Sequence, residues 1–202
     1  KNPVKFLDAL KSWKPDCLGM AQYCWNSELN LYAAGRAKEV NPDCLVIAGG
    51  PNLSLSKNEK IDFFKKWGFL DLCIAYDGEI PFAEIIKRLT AGERPQDILR
   101  VPPAGAYCLD RASGNMAESG AEAPRLVSLD EFGAMYADGW FNDLLDEGFS
   151  PFLQTHRGCP FECAYCHTSD RYYSRMLFQS PRYFDKDMEY LGRRFCGRPD
   201  VT

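Results

Sequence analysis

What this chain has little of closes off several classes of function. No apolar run approaches the roughly 20 residues that a membrane-spanning helix needs, and no signal-peptide pattern heads the sequence. Positive charge is not in excess. The 24 Lys and Arg against 28 Asp and Glu leave a net charge of −4, which argues against a bare nucleic-acid-binding surface. Histidine is nearly missing: only His156 and His167 occur, so any imidazole chemistry is confined to their neighbourhood. A second Cys-x2-Cys pair is also missing, and zinc sites built on thiolates usually pair two of them.

Cysteine, by contrast, is plentiful. There are nine in 202 residues, an odd count in a chain too long for a disulfide-stapled mini-domain. A reducing cytoplasm with a metal site fits that usage better than a secreted scaffold. Three cysteines fall in eight residues, Cys159-Pro160-Phe161-Glu162-Cys163-Ala164-Tyr165-Cys166, a C-x3-C-x2-C run. A cubane iron–sulfur cluster takes four cysteine ligands. Three close cysteines with no obvious fourth would leave one iron open to a non-protein ligand. Other readings of the same residues stand beside this one. Zinc could take the three thiolates with His167 as a fourth ligand. Cys196 could complete an electron-transfer cluster of the ferredoxin kind. The thiols could also be buried and carry no metal.

The first hundred residues alternate short apolar runs with amphipathic ones. Strands are expected over 16–21, 44–48 and 71–75. Helices are expected over 27–40, with Leu29, Ala33, Ala37 and Val40 on the inner face and Ser27 or Asn26 as cap; over 57–67, with Ile61 and Phe64 inward; and over 79–90, with Phe82, Ile85, Ile86 and Leu89 inward. The first ten or so residues look like the tail of a helix whose preceding strand is missing. Such alternation implies a parallel sheet with helices on both faces. Ligands of such sheets sit beyond the carboxyl ends of the strands. Gln22 to Asn26, Gly49 to Asn52 and Tyr76 to Glu79 are therefore the candidate site. Gly49-Gly50 would let a ligand approach the backbone, or would serve a tight turn with positive φ.

Residues 101–150 read as a connector. Pro102-Pro103 close the first region, and 106–110 and 115–118 flank Ser113-Gly114 as a β-hairpin. An acidic, aromatic stretch over 128–147 reads as one or two short helices, its carboxylates as solvated faces, and Trp140 and Phe141 as core or interface.

The cysteine spacing, with the aromatic Tyr165 just before the last cysteine and Arg157-Gly158 before the first, resembles the signature of the radical S-adenosylmethionine (radical SAM) enzymes. Asp16-Cys17-Leu18-Gly19, Trp25-Asn26, Ala48-Gly49-Gly50-Pro51 and Asp77-Gly78-Glu79 resemble the cobalamin-binding-like domain that precedes many radical SAM domains. The resemblance implies a [4Fe-4S] cluster on Cys159, Cys163 and Cys166, SAM on the open iron beside Tyr165, and an electron that cleaves SAM to methionine and a 5'-deoxyadenosyl radical. It also implies cobalamin as a further cofactor, with Gly49 and Gly50 against its nucleotide tail. One departure stands out. The Asp-x-His-x-x-Gly motif of base-off cobalamin domains is absent, so the chain offers no lower-ligand histidine in this region.

The fold class expected is α/β. A partial Rossmann or flavodoxin-like cobalamin-binding-type domain over 1–100, its first strand missing, is followed by the connector and then by the start of a radical SAM partial TIM barrel over 151–202. In that barrel, 151–156 form a strand running into the cysteine loop. Ser180-Pro181 open a helix with Phe184, Met188, Leu191 and Phe195 inward, Gly197 and Pro199 end it, and Val201 begins the next strand. Arg157 could hold an anionic group near the cluster, or be solvated. The chain is expected to be a fragment, not competent alone. Its partners would be small-molecule cofactors, the remainder of the barrel and an external electron donor, in the cytoplasm and away from membranes.

Overall fold

Strand β2, Leu45–Gly49, is apolar along its length and buried along nearly all of it, as a strand covered by helices on both faces must be. It lies between β1 (Cys17–Ala21) and β3 (Leu72–Ile74), parallel to both, with Cys17 opposite Leu45 and Ala21 opposite Gly49. Residues 3–53 and 56–196 are described by the computed structural model. They divide into two units, Lys1–Arg125 and Leu126–Thr202.

In the first unit, α1 (Pro3–Trp13), α2 (Ser27–Val40), α3 (Lys57–Lys66), α4 (Glu79–Thr90) and α5 (Pro95–Arg100) accompany the sheet. Successive side chains of a strand point to opposite faces, and β2 obeys this. Val46 and Ala48 pack with Ala34, Ala37 and Phe64 of α2 and α3. Leu45 and Ile47 pack with Ile85 and Ile98 of α4 and α5. The result is the α/β layering expected of a Rossmann-like domain, with α5 a short helix the sequence did not suggest.

The hairpin read as connector is part of this sheet. β4 (Ala106–Asp110) runs antiparallel beside β3, and β5 (Asn115–Glu118) beside β4, giving the order β1-β2-β3-β4-β5. Ala106, Tyr107 and Cys108 are each no more than 3% exposed. Burying them covers the edge that β3 would otherwise present to water.

Helix faces differ in detail from the expectation. In α2 the buried set is Leu31, Ala33, Ala34 and Ala37, and Leu29 is 48% exposed. Three alanines let α2 approach the sheet closely, and this turns Leu31 inward instead of Leu29. In α4, Ile85 is buried as expected, whereas Phe82 is partly exposed. Its ring lies over Gly19, where a Cβ would come within 2.8 Å of it.

The second unit holds a 3-10 turn (Leu129–Phe132), α6 (Asn142–Asp146), β6 (His156–Arg157), β7 (Leu177–Phe178) and α7 (Pro181–Phe195). The turn is closed by a capping box in which Ser128 and Glu131 exchange side-chain and backbone hydrogen bonds. The strand expected over 151–156 is reduced to His156–Arg157, and it pairs antiparallel with Leu177–Phe178. Two features limit it. Phe152 is hydrogen-bonded on both backbone atoms by the Tyr136 side chain, and Gly158 turns the chain away with φ +110°. In α7 the inward residues are Asp187 and Leu191, and Met188 is 46% exposed. The expected helix end at Gly197 and Pro199 and the strand start at Val201 lie outside the described residues. Among the described residues no helix is long and apolar enough to cross a membrane.

Candidate functional site

The cysteine loop, between β6 and β7, is held by backbone hydrogen bonds of its own. The Cys159 amide donates to Tyr173 O at 3.0 Å, and the Cys166 amide donates to Cys163 O at 3.0 Å. Ser169 closes the far end, its amide and hydroxyl both donating to Cys166 O, at 3.1 and 2.6 Å. Cys159, Cys163 and Cys166 are free thiols and half-buried. Tyr165 stands 92% exposed between the last two. The hydrogen bond from Thr168, at 3.1 Å, together with nearby amides, holds the Cys166 thiol below the usual range. That bond favours the thiolate, which is the form that binds iron or zinc. Among the described residues no three His, Cys, Asp or Glu groups converge on one point. The three thiols share a loop without yet being gathered.

The residues around the loop are engaged locally. The Arg157 guanidinium donates to Gln154 Oε1 at 3.0 and 3.3 Å and lies 6.0 Å from the Phe132 ring centre. His156 Nδ1 is 3.2 Å from the Thr155 hydroxyl. Cys196, the alternative fourth ligand, is exposed at the end of α7.

The second candidate region lies at the carboxyl ends of β1, β2 and β3. The Gln22 amide donates to Gly49 O at 2.6 Å, and Gln22 O accepts from the Asn52 amide at 3.1 Å. Gly50 has φ +98°, and a Cβ there would come within 2.8 Å of Gln22 O. Its lack of a side chain therefore serves the close passage of two backbone segments. Asn26 is the N-cap of α2, but its side chain reaches backward, accepting from the Tyr23 amide at 2.8 Å and donating to Ala21 O at 3.1 Å. This fixes the β1–α2 turn and presents Tyr23 and Trp25 as a stacked pair, ring centres 4.7 Å apart, with Trp25 77% exposed. Asp77, after β3, is paired with Arg125 at 3.0 Å in a nearly buried ion pair. Gln22 itself is wholly buried with neither side-chain polar atom hydrogen-bonded.

The residues present fit the groups the resemblance implies. Three soft sulfur donors in one short loop suit iron–sulfur chemistry. An unpaired buried carboxamide carries a standing cost, and beside an exposed aromatic shelf it suits a large ligand with amide edges, as a corrinoid has. Gln22 and the Tyr23–Trp25 stack lie within the segment the sequence marks out, but nothing in the sequence distinguishes Gln22 from an ordinary exposed glutamine.

The first unit thus has the α/β layering of a Rossmann-like domain, and the second unit carries the three-cysteine loop. No family model matches the chain. It is 31% identical over 178 residues to a 2-(S-pantetheinyl)-carbapenam-3-carboxylate methyltransferase of Streptantibioticus cattleyicolor, taking in 82% of this chain and 24% of that protein. It is 30% identical over 159 residues to the cobalamin-dependent radical SAM methyltransferase TokK of Streptomyces tokunonensis, taking in 76% of this chain and 22% of TokK. An uncharacterized methyltransferase of Pyrococcus horikoshii, PH0819, is 23% identical over 201 residues, 92% of this chain and 41% of that one. In fold, the chain resembles the apo structure of the cobalamin-dependent S-adenosylmethionine radical enzyme OxsB, with a TM-score of 0.69 at 20% identity over 96% of this chain and 25% of that chain. The chain is thus a homologue of cobalamin-dependent radical SAM enzymes, and it spans less than half the length of the curated relatives it matches.

Proposed function

We propose that this chain forms the cluster-binding and corrinoid-facing part of a cobalamin-dependent radical SAM methyltransferase working in the cytoplasm. The observation that carries the reading is the C-x3-C-x2-C loop, with three free thiols held by its own backbone hydrogen bonds. Cys159, Cys163 and Cys166 would ligate a [4Fe-4S] cluster and leave one iron for SAM, with Tyr165 alongside. Gly49, Gly50 and Gln22 would face the nucleotide tail of cobalamin. When bound, the cluster supplies the electron that cleaves SAM, and the corrinoid carries the methyl group. The chain's own contribution is to hold three thiolates in one loop, to favour the charged form of Cys166 through Thr168, and to offer an aromatic shelf at the strand ends. Residues 151–202 begin the radical SAM domain, whose remaining strands and external electron donor complete the enzyme.

The test is anaerobic reconstitution with iron and sulfide, followed by reduction and electron paramagnetic resonance with and without SAM. A cubane signal that shifts with SAM, and is lost when the three cysteines become alanine, is the expected result. Zinc uptake without a cluster would overturn the reading. A cubane signal lost in Cys196→Ala would point to the electron-transfer module instead.

A further inference from the structure

We propose that Tyr136 is a positioning residue for the cysteine loop, acting through Phe152 and anchored by Asp187. The proposal rests on the reading that this loop carries the cluster.

The stalk leading into the loop, residues 151–155, has no strand structure of its own. Phe152 cannot be held by its side chain, which is 82% exposed. Its backbone is held instead. The Phe152 amide donates to the Tyr136 hydroxyl at 2.8 Å, and that hydroxyl donates to Phe152 O at 2.9 Å. A phenol gives and takes one hydrogen bond at once, so a single side chain here does what a neighbouring strand would do.

Tyr136 is itself firmly fixed. It is 7% exposed, its ring lies 5.1 Å from that of Phe141, and its amide and that of Ala137 both donate to Asp187 Oδ1, at 3.0 and 2.9 Å. Asp187 is 1% exposed on α7. A buried carboxylate is tolerated only where donors meet it, so these two amides account for an acidic residue on the inner face of the helix. The segment just before that helix holds the stalk a second way. The Gln179 amide, just before α7, donates to Thr155 O at 2.9 Å, and His156 pairs with Phe178. The stalk is therefore held at Phe152 by the Tyr136 side chain, which Asp187 of α7 anchors, at Leu153 by packing with Tyr136, Leu145 and Leu191, and at Thr155–Arg157 by backbone bonds to residues 177–179. Phe152 is seven residues before Cys159 by number (159 − 152). Freeing it leaves only the packing of Leu153 and the β6–β7 attachment to hold the stalk, so the stalk twists more easily and the first thiolate moves with it.

The test compares Tyr136→Phe with Tyr190→Phe in the full reconstituted chain. Tyr190 is a second hydrogen-bonded phenol of the same unit, bonded to Asn142 and Arg194 and not to the stalk. Both substitutions keep the ring, so the fold is retained. Losing the clasp should raise amide exchange over 152–158 and speed iron release to a chelator, each about tenfold, as expected for two lost hydrogen bonds. The g values of the reduced cluster should shift, while Tyr190→Phe changes none of these. Wild-type exchange in Tyr136→Phe would overturn the proposal. So would faster exchange with unchanged iron release and g values, or an equal effect in Tyr190→Phe. If the wild-type chain takes up no cluster, the role proposed for Tyr136 is overturned together with the function it rests on. Exchange of the metal-free chain still shows whether the clasp exists, so the two failures are told apart.

Discussion

Gly50 shows how one residue can carry two readings until the backbone around it is known. The Gly-Gly pair marks a turn or a ligand approach, and the sequence leaves both open. The structure shows φ +98° and a Cβ position 2.8 Å from Gln22 O, so the glycine is required by the crossing of two strand ends. Gly50→Ala should destabilise the first unit by about 2 kcal/mol or more, combining the cost of a left-handed backbone with a clash against backbone atoms. Urea unfolding of the variant checks this, and a wild-type midpoint would refute it. Gln22 is the reverse case. Its burial without hydrogen bonds is visible only in three dimensions, because neighbours and not residue type decide which polar group is desolvated.

At the level of elements, periodicity located the helices and misjudged which face turns inward where the apolar stripe is weak. In α2 the alanines lie across the stripe, and close approach selected Leu31 over Leu29. Leu31→Ala should cost about 2–5 kcal/mol. Leu29→Ala, at an exposed position, should stay within about 0.5 kcal/mol. Equal losses in chemical denaturation would contradict this packing. In α7 the apolar spacing pointed to Met188, but hydrogen bonds from two amides placed Asp187 inside. A pattern that counts only apolar residues cannot see a carboxylate whose partners lie about fifty positions away. The same applies to β6, shortened because a tyrosine side chain occupies the backbone of Phe152.

Across the first unit, buried thiols give stability a defined dependence on pH. Burial pushes Cys17 and Cys108 each up to about 11 from an ordinary 9.0, with neighbouring charges adding to it. Burial also raises Cys73 and Tyr107 well above their usual values. The folded state thus favours the protonated forms. Unfolding exposes thiols that ionise near pH 9, so the contribution is fully present below that and is lost as pH rises toward 11. Urea midpoints should be flat up to about pH 8.5 and fall between about pH 9 and 11, and Cys17→Ala should flatten the fall. A midpoint independent of pH over that range would contradict the burial of these groups.

Read along the chain, the sequence establishes the alternation of strands and helices, the hairpin, and the loop of three cysteines, because these depend on local periodicity, turn residues and spacing. It also carried the likeness to radical SAM and cobalamin-binding domains, since motif residues are read along the chain. Tertiary structure alone decided that the hairpin extends the sheet, that Asp187 and Gln22 are buried, and that Tyr136 ties the stalk of the cysteine loop to α7. Each of these depends on groups far apart in sequence coming within hydrogen-bonding or packing distance, and composition and periodicity carry no record of such pairings.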